Sequence, residues 1–165
     1  MNHKAHLVWY RLLGILLVIP NTLSEWFNTL TDIGSYQGNV ALIRSITSYK
    51  PTAIQTLFDR SFDSLLFAQI GAVFFILLHL LAAVLMTVGI VLMIKHIRSA
   101  KGLFREHVTF ATAGLVLIIV SFALFFGVVA MDYFMSQLHG FNYNSQLTAV
   151  LLPAGIALLY LLAVE

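Results

Sequence analysis

From Ser64 to Ile94 the chain carries no Asp, Glu, Lys or Arg. About 20 mainly apolar residues suffice to cross a hydrocarbon core of roughly 30 Å, so this stretch is longer than a membrane helix requires. Composition points the same way. Apolar residues make up 60% of the chain and charged residues 10%, against roughly 45–50% and about 25% in soluble domains. A domain of 165 residues exposes much of its surface and needs more charge than nine Lys and Arg and seven Asp and Glu supply. A water-soluble monomer and a disordered tail are therefore excluded. A nucleic-acid binder is excluded as well, because a formal charge of +2 is too small a surplus to track phosphates. The absence of cysteine removes disulfides, thiolate metal sites and thiol nucleophiles.

Charge spacing yields three more candidate spans. One lies between Glu106 and Asp132. Another follows Asp132, where a polar, turn-like first half leaves 147–164 as the apolar part. The N-terminal span, about 7–30, contains Arg11 and Glu25 near its ends, where long side chains can snorkel to the headgroups. It has a basic start but no small-x-small cleavage site, so it reads as a retained helix rather than a signal peptide. The expectation is an all-α polytopic membrane protein: a four-transmembrane-helix bundle with helices at about 7–30, 64–95, 107–132 and 147–164, forming one domain over 1–165. Four spans put both termini on one side.

Orientation follows the Lys and Arg of the short loops. An inner basic loop at 95–106 carries Lys95, Arg98, Lys101 and Arg105, and the N-terminus adds Lys4 and Arg11. Both termini are therefore expected in the cytoplasm. Trp9, Tyr10, Trp26, Tyr133 and Tyr143 fall at expected interfaces. In the outer loop, 31–63, Val40, Leu42, Ile43 and Ile46 recur at helical spacing, as do Ile54, Leu57, Phe58 and Phe62, with Pro51 between the two sets. Two short amphipathic helices are expected there.

Polar residues within a span are costly and usually face the interior or a cavity. Arg11, Gly14, Val18, Asn21, Glu25, Asn28 and Asp32 follow one another by steps of three and four and share a helical face. That face either points inward or lines a vestibule open to the outer side, or it marks the frayed outer end of the span. Pro20 just below it removes one backbone hydrogen bond. His79 lies near the middle of the second span, among the small-to-medium neighbours Ala72, Phe75, Ile76, Ala82, Ala83 and Met86. Three roles stay open for it: a neutral imidazole bonded across the bundle, a proton carrier, or a metal or haem ligand. Ser121 on the third helix is its candidate partner, while Thr87 and Thr112 are expected to bond back to their own helices.

Haem b is disfavoured and no cofactor is expected, because bis-His ligation needs two imidazoles at one depth and His79 has no match. His96 and His107 do share a depth, but a basic loop joins them. At the outer rim Glu25 and Asp132 flank the bundle, with Arg44, Arg60 and His139 in the covering loops. That group is either a structural ion-pair cluster or a polar vestibule. No metal site and no catalytic signature is present, so no enzymatic activity is expected. The inner basic loop could touch anionic lipid.

The order of features also resembles a known family. Asn-Thr-Leu-Thr-Asp (28–32) closes the first helix, and Phe-Asp-Arg-Ser (58–61) lies in the outer loop. A basic turn precedes the Gly114 helix, which exits as Met-Asp-Tyr-Phe-Met-Ser-Gln (131–137). This resembles the bacterial "predicted small integral membrane protein" family, domain of unknown function 2165. The resemblance implies the topology and a bacterial inner-membrane location, and carries no mechanism. Three functions remain open. The first is a non-catalytic accessory subunit that binds another membrane protein or itself within the lipid bilayer. The second is a small transporter or channel lined by Asn21, Glu25, His79, Ser121 and Asp132. The third is an immunity protein against a membrane-directed toxin.

Overall fold

The computed structural model of the chain describes residues 3–48, 62–125 and 144–163. Five helices follow one another among them, α1 His3–Gly34, α2 Tyr36–Thr47, α3 Leu65–Lys95, α4 Lys101–Ser121 and α5 Asn144–Ala163, with no strand in the described residues. Three stretches are long and apolar enough to cross a membrane: His6–Gly34, Leu65–Lys95 and Gly102–Phe125. The apolar part of α5, Thr148–Ala163, is shorter.

Local chemistry sets the helix ends. The Ser64 hydroxyl accepts the Phe67 backbone N–H at 3.2 Å, capping α3 directly after Asp63. At the other end α3 stops with Lys95, whose charge suits the negative end of the helix dipole. α4 begins at Lys101, ahead of the 107 expected from charge spacing, and the basic connection is confined to 96–100. Hydropathy locates the hydrocarbon edge, whereas a helix needs only residues that tolerate helical geometry, which Lys and Arg do. α1 runs unbroken through Pro20, whose ring is exposed. Beyond it Asn21 Nδ2 and Thr22 Oγ1 donate to the carbonyls of Leu17 and Val18, at 2.9 and 3.0 Å.

The amphipathic pattern around Val40 becomes α2, which lays Val40 on Ala68 and Ala72 of α3. The second amphipathic segment lies, apart from Phe62, outside the described residues. α3 packs against α1, α2 and α4, while α5 touches α4 and α1, so that α1, α3, α4 and α5 form a closed ring. Their shared apolar core joins Ile15 and Val18, Met86 and Met93, Leu115 and Ile118, and Ala157 and Leu161. α3 and α4 approach closely at two glycines. A Cβ on Gly89 would stand 2.5 Å from the Ala111 backbone nitrogen, and one on Gly114 would stand 2.5 Å from Met86 Cγ.

The outside of the molecule is greasy. Leu16, Phe27, Leu66, Ile70, Leu77, Val91 and Leu159 are among many large apolar side chains left exposed, while Arg11, Glu25, Thr29, His79 and Ser121 are buried. That inversion suits a lipid surrounding, where exposed apolar groups carry no penalty.

Candidate functional site

The site grows out of the polar face of α1. Arg11, Gly14, Val18, Asn21 and Glu25 are buried, and Asn28 and Asp32 are half-buried. α1 stays helical to Gly34, so the polar stretch is not a frayed end. Neither charge snorkels: Arg11 and Glu25 are each 1% exposed. Arg11 instead donates to the carbonyls of Ile97 and Ser99, at 3.0 and 2.7 Å, and lies 4.2 Å from the centre of the Phe104 ring. It thereby ties the α3–α4 connection to α1 and satisfies two carbonyls of that connection.

Glu25 meets His79. The carboxylate Oε2 lies 2.5 Å from imidazole Nδ1, inside the protein, and Oε1 accepts from Asn28 Nδ2 at 3.3 Å. With Nδ1 set against Glu25, Nε2 is turned towards Asp32. Asp32 Oδ2 stands 3.8 Å from Nε2, and its Oδ1 accepts from Asn39 Nδ2 of α2 at 3.0 Å. From α4, Phe122 sets its ring against the imidazole, with centroids 5.6 Å apart at 70°. Residues 122–125 form a widened π turn after α4 that carries Phe122 and Phe125 inward.

Above this network lies a cavity of about 680 Å³. Asn28, Asp32, Asn39 and His79 form its polar side, and α2, α3, the π turn and the start of α5 supply apolar and aromatic walls, among them Ile43, Phe67, Phe75 and Phe125. On the opposite side of His79 the shared apolar core closes the ring. Among the described residues no group of three or more His, Asp or Glu is arranged to hold a metal ion.

Glu25 was expected at the rim and His79 at mid-depth, yet they touch. The reason is that α1 continues to Gly34, which sets Glu25 roughly 13 Å below the helix end at 1.5 Å per residue. Ser121 does not join them. Its hydroxyl donates to Leu117 O at 2.6 Å, and Phe122 takes the place beside His79. Thr87 bonds back to Ala83 O at 2.7 Å and also accepts from Trp26 Nε1 at 3.0 Å, so Trp26 points into the protein. The buried Thr112 hydroxyl has no partner. Asp132, Arg60 and His139 lie outside the described residues.

Arg44, at the last turn of α2, pairs with Asp63 rather than with the α1 carboxylates, Nε–Oδ1 2.5 Å and Nη2–Oδ2 2.8 Å. The hydrogen bond from Arg44 holds the Asp63 carboxyl below its ordinary range, and the same contact raises Arg44. At the far end, Lys95 closes α3, Arg98 lies in the connection, and Lys101 and Arg105 occupy the first turns of α4. There the rings of His96 and His107 stack with centroids 4.2 Å apart.

Sequence reasoning missed Thr29, Asn39 and Phe122. Thr29 lies one turn after Glu25 and its spacing could have found it. Asn39 and Phe122 are brought in by other elements and leave no local signal.

Residues 10–164 match the model of the family described as "Predicted small integral membrane protein (DUF2165)". No curated protein and no solved structure matches the chain.

Proposed function

The chain belongs to this family of small integral membrane proteins, and from that premise we propose that it is a non-catalytic accessory protein of the bacterial inner membrane whose cavity receives a small ligand from the outer side. In this reading it needs no cofactor of its own. α5 acts as a fourth span: it runs beside α4 and α1, and Tyr160 near its end donates to Tyr10 O at 3.2 Å near the start of α1. Both termini then share the side of Lys95, Arg98 and Arg105, which the positive-inside rule makes cytoplasmic.

The observation that carries the reading is the closed floor of the cavity. A transporter needs a polar route past His79, but Ile15, Val18, Met86, Leu115 and Ile118 fill the ring beyond it. A pocket with apolar walls, a few convergent polar groups and a volume within roughly 300–1,000 Å³ is the ordinary form of a ligand site. Two measurements test this. Native mass spectrometry of the protein purified in its own lipids is expected to show a retained low-mass ligand, lost in Ser24→Phe, which fills the cavity wall. Proteoliposomes are expected to show no ion flux beyond protein-free vesicles, and a flux abolished by Glu25→Gln would replace the reading with a transporter.

A further inference from the structure

We propose that the cavity ligand is an organic cation, an amine or quaternary ammonium group on an apolar body, an inference that rests on the binding reading above and names its ligand class. Charge bookkeeping comes first. Glu25 is paired with His79 at 2.5 Å and with Asn28. Asp32 is held more loosely: Asn39 donates to one oxygen, and the other stands 3.8 Å from His79 Nε2, within ion-pair range but beyond hydrogen-bond reach. His79 is 8% exposed and still lines the cavity. A carboxylate oxygen and an imidazole nitrogen thus face the same space with bonding capacity to spare.

Among the described residues, no Lys or Arg lines that space. An anion would meet the Asp32 carboxylate with no Lys or Arg to offset it, and the phosphate of a phospholipid would find no such partner either. A compact metal ion would find too few converging donors. The walls favour a different solute. Phe67, Phe74, Phe75, Phe122 and Phe125 all contribute, and aromatic faces attract a cation strongly where water is scarce. They also shield an apolar body whose head meets Asp32, offsetting the cost of a half-buried carboxylate.

The test uses full-length protein in phosphatidylglycerol nanodiscs and three probes of similar bulk: tetraphenylphosphonium, neutral triphenylphosphine oxide and anionic tetraphenylborate. Binding is measured by calorimetry against protein-free discs. The cation is expected to bind saturably and at least about tenfold more tightly than either analogue. Asp32→Asn is expected to weaken only the cation, again by about tenfold or more, because Asn keeps an acceptor for Asn39 while losing the charge. Equal binding of the neutral probe, or an unchanged affinity in Asp32→Asn, overturns the cation inference while leaving a binding cavity. Competition by a phosphocholine lysolipid as strong as that of the cation itself also overturns it, by assigning the ammonium to a lipid headgroup. No saturable binding of any probe, or binding indifferent to Ser24→Phe, overturns the cavity reading as well.

Discussion

Glu25 and His79 are each expensive to bury alone, and they share one hydrogen bond of 2.5 Å. Removing one leaves the other buried and unmatched, which costs about 3–5 kcal/mol. Replacing both by apolar groups of similar volume removes the unmatched charge altogether. Glu25→Leu and His79→Leu are therefore each expected to lower stability by about 3 kcal/mol or more, and the double variant by about 1–3 kcal/mol less than their sum. Unfolding titrations in detergent, arranged as a double-mutant cycle, would show strictly additive losses if the two side chains did not depend on each other. At this scale the sequence was legible wherever one helix suffices: steps of three and four put Glu25, Asn28 and Asp32 on one face. It was silent on which residues answer them, because His79, Asn39 and Phe122 arrive through the packing of α3, α2 and the π turn.

The α3–α4 contact is a matter of small residues rather than of complementary large ones. In lipid, where apolar burial drives little, close approach supplies the dispersion that holds helices together. At Gly89 an added methyl meets the Ala111 backbone, which can yield only if the helices part, while at Gly114 its nearest neighbour is a side-chain atom, Met86 Cγ, with the Ala82 carbonyl oxygen at 3.0 Å and the Met86 backbone nitrogen at 3.2 Å. Gly155 has nothing within 4 Å. Thermal unfolding should rank the alanine variants accordingly, with Gly89→Ala the most damaging, by about 1–3 kcal/mol, Gly114→Ala less so, and Gly155→Ala neutral or mildly stabilising through helix propensity. A second tie holds α2 to the start of α3. The Asp63 carboxyl is held below its ordinary range by Arg44, so its contribution is complete above that range and fades in acid as pH falls through the lowered value. Both side chains are exposed, so the effect is small. Asp63→Asn should melt slightly earlier than the wild type at pH 7, and the gap should close in acid; a gap that persists there would point to packing. Of the elements, α3 was the easiest to read, since charge bounds it on both sides. α4 was misread at its start because the charges that end a hydrocarbon span do not end a helix.

Charge also supports the proposed orientation of the molecule as a whole. Arg11, Lys95, Arg98 and Arg105 gather at one end, whereas at the end carrying α2 the described cation, Arg44, is balanced by Asp63. In the proposed orientation the unbalanced end faces the cytoplasm. Because the chain contains no cysteine, single-cysteine labelling needs no background to be removed. Ser35 and Ala100 are exposed at opposite ends, and Ala163 is exposed at the end of α5. With a membrane-impermeant maleimide on intact cells, or on spheroplasts where an outer membrane intervenes, Ser35→Cys should react. Ala100→Cys and Ala163→Cys should react only after the inner membrane is opened. The Ala163 result decides the span count, because the described apolar part of α5 is shorter than those of the other three. If α5 crosses, its end must share the fate of Ala100, on the side where Tyr160 meets Tyr10. Labelling of Ala163→Cys together with Ser35→Cys would leave three spans, put the two termini on opposite sides, and require α5 to pack against α1 without crossing.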